Sequence, residues 1–270
     1  MLEPGIYDIP EDQYHAVQAL SASRSKVLID QCPAALYYQM KTESGRQTDA
    51  MRFGTLFHSI VLYGEEHTQE HYKILVKVDR RTKEYKMAAE EYPASRIISC
   101  DDMDRALYMR DALMMNEIAA KLLVADGPNE ESFFWIDDLT DCPCKARIDT
   151  YKPEFRTVID LKTAKDASPN GAESAIKKYG YWRQAAHYLE AVNTFGIDCD
   201  SFVLIFVEKE PPFLTNVIAL SPQTLQAGKN AMRKCKEVYA ECIKSEVWPG
   251  YEDITEFSLN KFDLKKWGVE

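Results

Sequence analysis

The sequence predicts an α/β protein whose sheet lies in its second half, behind a mainly helical N-terminal elaboration. From Glu130 onward, strand-like and helical runs follow one another in the order β-β-β-α-β-β-α, the alternation of a layered α/β core. Before that point the apolar residues recur mostly at helical spacing, as in Phe53, Leu56, Phe57, Ile60 and Val61. With 270 residues and 46% hydrophobic content, the chain can bury a large core.

Residues 1–20, with Pro4, Gly5 and Pro10, read as irregular. Ser21-Ala22-Ser23 offers helix caps before Val27, Leu28 and Ile29, and Pro33 restarts a helix over 34–40. Residues 41–50 are polar and loop-like, and a helix follows over 51–63. A strand is expected at 72–78, a charged stretch after it, and one long helix over 101–123. Residues 132–136, 145–151 and 157–161 read as a three-stranded meander. A helix over 172–193, strands at 202–207 and 216–220, and a helix over 222–244 with Pro222 near its start complete the core. The tail after Trp248 is polar and aromatic and is expected to wrap the surface.

No run of about 18 apolar residues exists, so no membrane span is expected. The opening residues 1–5 have neither the basic region nor the apolar stretch of a signal peptide, which suggests a cytoplasmic protein. Seven scattered cysteines form no C-x-x-C pattern and are expected to be reduced and mostly buried, with no iron–sulfur cluster. The net charge of −10 argues against non-specific coating of nucleic acid, but it is not uniform. Between Cys144 and Glu190 nine Lys/Arg stand against six Asp/Glu, so a basic channel is compatible with an acidic exterior.

That basic segment also holds the chemistry. In Val158-Ile159-Asp160-Leu161-Lys162-Thr163, Asp160 and Lys162 share one strand face and Leu161 turns to the other. If this run forms a hairpin with the one ending in Arg147-Ile148-Asp149, two carboxylates and an ammonium meet in one small volume. Such a set can hold a divalent cation and a water for phosphodiester hydrolysis. An isolated Asp-x-Lys is more often a solvated ion pair, but apolar neighbours bury this one, and buried carboxylates need partners or a metal. Glu131, at the start of the meander, is either a third carboxylate of this cluster or a solvated strand end. His58, on an apolar helix, is either a core histidine or an imidazole ligand. Tyr181, Gln184 and Tyr188 share a helical face, which is either a packing stripe or a surface that offers hydrogen bonds to phosphate. The nearby cations Lys177, Lys178 and Arg183, with Arg147 and Lys165, are either partners for backbone phosphates or a solvated charged face.

The ordered set Gly54-x-x-x-His58, Glu131, Cys144-x-x-Arg147-Ile148-Asp149, Asp160-Leu161-Lys162-Thr163 and Tyr181-x-x-Gln184-x-x-x-Tyr188 resembles the PD-(D/E)XK nuclease superfamily. Within it the chain is similar to the RecE (exonuclease VIII) family of phage and prophage recombination exonucleases, over about residues 4–245. The opening Gly5-Ile6-Tyr7-Asp8-Ile9-Pro10, Tyr14-His15 and Leu20-Ser21-Ala22-Ser23 add to the likeness. The resemblance implies a restriction-endonuclease-like core, a central mixed sheet flanked by helices. It implies one nuclease domain over 1–270: a helical elaboration at 1–125 carrying the histidine motif, a catalytic core at 126–245 and a tail at 246–270. It further implies a Mg²⁺-dependent (Mn²⁺ substituting) 5′→3′ exonuclease that acts on linear double-stranded DNA and leaves 3′ tails. Asp149 and Asp160 would be the central metal ligands, with His58 completing the shell and Glu131 supporting it. Lys162 would orient or deprotonate water, and Gln184 and Tyr188 would fix the motif helix against DNA. Related enzymes imply a ring-shaped homo-oligomer, a tetramer favoured, and a RecT-type single-strand annealing protein as partner. The chain departs from the superfamily pattern at Ile148, where Pro is usual, and at Asp160, where Glu is commoner. The alternatives are a single-strand- or structure-specific nuclease of the RecB-like branch and a catalytically silent DNA-binding subunit.

Overall fold

The structure, a computed structural model, describes residues 3–42, 48–251 and 256–269. Its frame is a six-stranded sheet of β1 (Gly5–Tyr7), β4 (Asn129–Asp137), β5 (Cys142–Lys152), β6 (Thr157–Ala164), β7 (Ser201–Glu208) and β8 (Thr215–Ala219) in the order β1-β4-β5-β6-β7-β8. All neighbours are antiparallel except β6 and β7, which the crossover through α9 (Pro169–Tyr179) and α10 (Tyr181–Thr194) makes parallel. β6 and β7 are buried on both faces, which is why they read as near-continuous apolar runs.

Helices cover both faces. On one, α4 (Asp49–Tyr63) and α7 (Cys100–Met114) pack Leu56, Phe57, Ile60 and Met109 against Ile159, Leu161, Val203 and Ile205. On the other, α2 (Ala22–Asp30), α3 (Pro33–Thr42), α10 and α11 (Pro222–Ser245) lie over Val158, Phe202, Leu204 and Phe206. Side-chain caps start many of these helices: Ser21 for α2, Thr48 for α4, Ser99 for α7 and Ser221 for α11. A separate parallel pair, β2 (Lys73–Leu75) with β3 (Ile97–Ser99), is joined through α6 (Lys83–Glu91) and follows α5 (Glu65–His71).

Several expected boundaries move. The 101–123 helix is two, α7 and α8 (Glu117–Val124), because Asn116 leaves the helical path and its side chain caps Ala119 N–H. The 172–193 helix is also two, because Gly180 takes a left-handed φ of 72°. The 72–78 strand shortens to three residues. The polar 41–50 stretch is helical at both ends, and residues 43–47 lie outside the described residues.

Residues 3–20 are not irregular throughout. β1 pairs antiparallel with β4, and α1 (Glu11–Ala16) follows. Two cations from β5 hold this segment by its carbonyls. The buried Lys145 ammonium donates to Tyr14 O and Val17 O at 2.8 Å and to His15 O at 3.3 Å, and Arg147 donates to Ile9 O at 2.7 Å. At the far end, Trp248 lies against Tyr37 and Tyr239, but Phe257, Phe262 and Trp267, around α12 (Lys261–Lys266), are exposed. The tail therefore does not wrap the body with its aromatic side chains. All seven cysteines are free thiols, six of them buried. Among the described residues no helix is long and apolar enough to cross a membrane.

A charge network ties β4 to α11. Asp137, 6% exposed, accepts from Lys236 at 2.8 Å and Arg233 at 2.7 Å, and Lys236 also contacts Glu190. Burial works against the Asp137 anion, but hydrogen bonds from Lys236, Thr140 and Arg233 prevail and hold its pKa at about 2. A depressed carboxylate stabilises the fold above its unfolded pKa and loses that contribution as pH falls through the folded value, here worth about 2 kcal/mol between about pH 4 and pH 2. Asp137→Asn is expected to cost about 2 kcal/mol at neutral pH by removing the anion between Lys236 and Arg233 and leaving Lys236 with Glu190 alone. It is also expected to flatten the acid limb of stability, read as urea midpoints across that pH range.

Candidate active site

β5 and β6 pair through Thr150↔Ile159, Tyr151↔Val158 and Lys152↔Thr157, and the same register sets Asp149 opposite Asp160. The backbones exchange no further pairing there. Instead Asp149 Oδ2 accepts the Leu161 N–H at 2.8 Å. The Leu161 carbonyl lies 3.0 Å from His58 Nε2, so both backbone polar groups of Leu161 are satisfied by side chains. The other ring nitrogen, His58 Nδ1, is 3.5 Å from Asp149 Oδ1. With Nε2–H donating to the carbonyl, Nδ1 is the nitrogen that faces the carboxylate.

Asp160 is 1% exposed. Its Oδ1 accepts from Gln184 Nε2 at 3.0 Å, and its Oδ2 contacts the Lys162 ammonium but accepts no aligned hydrogen bond. That ammonium also sits 4.8 Å from the centre of the Tyr181 ring. The four charged groups set one another's protonation. Burial pushes Asp160 up to about 6, with Lys162 opposing and Asp149 adding to the rise. Burial opposes the other three charges as well, but their partners prevail. His58 and Lys162 hold Asp149 below the usual carboxylate range, Asp149 raises His58, and the two carboxylates raise Lys162. Lys162 is thus an ammonium in this arrangement, and Asp160 is the carboxyl most ready to accept a proton.

A break in strand alternation assembles this corner. Phe133 and Trp135 of β4, with Cys144, Ala146 and Ile148 of β5, enter the core beneath α10. Beyond Glu131, however, Asn129 donates to Leu62 O in the opposite layer, and beyond Ile148 it is Tyr151 that enters the core beneath α10. Both strands slip phase by one residue at the facing positions Glu130 and Asp149. Glu130 absorbs the slip with a left-handed φ of 51°.

Glu131 therefore sits elsewhere than expected: its carboxylate accepts from Tyr151 Oη at 2.8 Å. Its neighbour Glu130 is the acid near the corner, 3.5 Å from Arg147 and close enough to His58 to favour its protonation. Only the backbone conformation distinguishes these adjacent glutamates, so no feature of the sequence could have separated them. Gln184 faces Asp160 and not open solvent, and Tyr188, half-buried, packs on Phe202. Arg183 is 6% exposed and lies 3.5 Å from Asp30, so it faces α2 and is not presented to a phosphate. Arg147 is occupied by Ile9, Ser132 and Glu130. Lys165, Lys177 and Lys178 are exposed, Lys177 beside Glu173 and Lys178 over Tyr179.

Comparison with known proteins agrees with this architecture. Residues 21–258 match the model of a PDDEXK-like domain of unknown function, DUF3799. The chain belongs to this family. It is similar in fold to the crystal structure of a candidate exonuclease from Eubacterium rectale, with a TM-score of 0.63 and 14% identity over 96% of this chain and 98% of that one. A phage-related exonuclease from Haemophilus somnus 129PT aligns with a TM-score of 0.37 and 14% identity, over 86% of this chain and 99% of that one. No curated protein matches the sequence. The PDDEXK-like fold is that of a nuclease.

The donors at the corner suit a hard divalent cation: two carboxylates, one imidazole, and in Asp160 Oδ2 a buried oxygen without an aligned donor. Among the described residues no three His, Cys, Asp or Glu side chains close a shell by themselves, so a bound ion would retain waters or substrate oxygens. The helix that carries Gln184 depends on Gly180, where an added Cβ would combine a positive φ with a 2.5 Å approach to Arg183. Gly180→Ala is expected to lower stability by about 1–2 kcal/mol, measured by urea denaturation.

Proposed function

We propose that this protein is a Mg²⁺-dependent deoxyribonuclease, with Mn²⁺ able to substitute, that degrades linear double-stranded DNA in the 5′→3′ direction. It would leave 3′ single-stranded tails for phage-type recombination. The observation that carries the nuclease reading is the convergence of Asp149, Asp160, Lys162 and His58 where β5 and β6 part, in a chain of the PDDEXK-like family. Polarity, duplex preference and the recombination role rest on the RecE-like order of motifs. So do a ring-shaped homo-oligomer, tetramer favoured, and a RecT-type annealing partner, while a cytoplasmic location fits a DNA substrate.

In this reading His58, Asp149 and Asp160 hold the cation, which when bound stabilises the charge that builds on the phosphate. Gln184 fixes the Asp160 carboxyl by one oxygen and leaves the other for the ion. Lys162, held as an ammonium by Asp160, orients the attacking water and offsets phosphate charge, a role its raised pKa favours over proton abstraction. Glu130 and Glu131 act as positioning groups, the first through Arg147 and the second through Tyr151. Exposed Lys165, Lys177 and Lys178 are the cations available to the DNA backbone.

Linear duplex DNA labelled at one 5′ end tests this directly. In Mg²⁺ the wild type is expected to release mononucleotides from the labelled end, spare closed circles and lose activity in EDTA. Asp160→Asn and Lys162→Ala, with unchanged circular dichroism, are expected to fall at least about 100-fold. Cutting of circles would indicate an endonuclease, and activity confined to single strands would indicate the RecB-like alternative. Absence of divalent-dependent cleavage of any DNA would leave a silent binding subunit. Calorimetric titration with Mn²⁺ is expected to show binding that Asp149→Asn weakens at least about tenfold.

A further inference from the structure

Beside the catalytic corner stands a column of flat rings that the hydrolytic reading does not use. Tyr63 closes α4, and across the break at Gly64 His67 and His71 stand one turn apart on α5. The Tyr63 and His67 ring centres are 4.7 Å apart at an interplanar angle of 25°, and those of His67 and His71 are 4.0 Å apart at 19°. A hydrogen bond of 2.8 Å between His71 Nδ1 and His67 O fixes the outer ring. On α5 a spacing of four residues alone leaves rings about 6 Å apart along the axis, so His67 and His71 have tilted into face-to-face contact.

The column begins at the corner and runs outward. Tyr63 Oη donates to Asn129 O at 3.3 Å, which places the first ring next to Glu130, and α4 also carries His58. Tyr63 is 40% exposed and His71 is exposed. Arg96 lies alongside, its guanidinium 5.2 Å from the centre of the Tyr72 ring. Two stacked imidazoles add little to the core, since α5 buries only Thr68. The inner rings cover one another's faces, and exposed His71 ends the column; a flat ring at the surface with a cation nearby is an element of a sequence-tolerant site for single-stranded nucleic acid, where a base stacks and the cation meets phosphate.

We propose that Tyr63, His67 and His71 form a stacking column whose outer ring, His71, receives an unpaired nucleobase of a DNA strand at the mouth of the catalytic corner. The column would hold a strand that has separated from its complement, so the inference rests on the nuclease reading.

The test uses short single-stranded oligonucleotides that carry 2-aminopurine at successive positions, in EDTA so that no divalent ion takes part. Stacking on the column is expected to quench the fluorophore at one or two adjacent positions. His67→Ala/His71→Ala is expected to abolish that quenching and weaken binding about tenfold, the effect of one lost stacked base. His71→Phe, which keeps a flat ring, is expected to retain both. A double variant with wild-type circular dichroism that quenches and binds like the wild type would overturn the proposal. So would a wild type that shows no quenching, or a His71→Phe protein that behaves like His71→Ala. Duplex cleavage in Mg²⁺, assayed on the same preparation, separates the two readings. Cleavage without ring-dependent quenching sinks the column alone, whereas ring-dependent quenching without cleavage keeps the column and sinks the nuclease.

Discussion

Leu161 lies in the middle of a strand buried on both faces, and its N–H and C=O both point toward a neighbour that has already turned away. Left unpaired, each would cost roughly 1–3 kcal/mol. Asp149 accepts the first and His58 meets the second. Two side chains with the chemistry of metal ligands are thus held in place by a structural demand: each has one atom committed to the strand and one left over. Asp160 repeats the pattern, with Oδ1 committed to Gln184 and Oδ2 facing Lys162. Preorganisation here comes from backbone groups that must be satisfied, and the site is as rigid as the central strand.

The phase slip at Glu130 and Asp149 is what opens the gap. Had β4 and β5 kept strict alternation, Asp149 would have faced away from Asp160, and the two acids could not share Lys162. A glutamate in a left-handed conformation is strained, and such strain persists only where its surroundings enforce it. Arg147 supplies part of that enforcement, since it holds Glu130, Ser132 and the Ile9 carbonyl together.

Much of this could be read from the sequence, for identifiable reasons. The Asp149–Asp160 hairpin was legible because its apolar runs bury it whatever the rest of the chain does, and the face shared by Asp160 and Lys162 follows from a period of two. The break at Gly180 carried a signal, a glycine, but the one at Asn116 required weighing a capping amide against continuous helical spacing. The exchange of Glu131 for Glu130 was not legible, because it turns on one backbone angle. The opening segment escaped for a different reason. Its strand and helix are short and weakly patterned, and what fixes them is a lysine and an arginine more than a hundred residues away in sequence.

Those two cations recognise the opening segment through carbonyl oxygens, which every residue possesses. The side chains at His15, Val17 and Ile9 can therefore drift among relatives without removing these hydrogen bonds, whereas the buried Tyr14 ring, its centre 4.6 Å from the Lys145 ammonium, is part of the attachment. The converse holds for deletion. Truncating the chain past Val17 would remove the acceptors of the Lys145 ammonium and would free Arg147 from one of its anchors. The damage would reach Glu130 through the same guanidinium, so an N-terminal boundary chosen for convenience would be felt at the corner that holds Asp149 and Asp160.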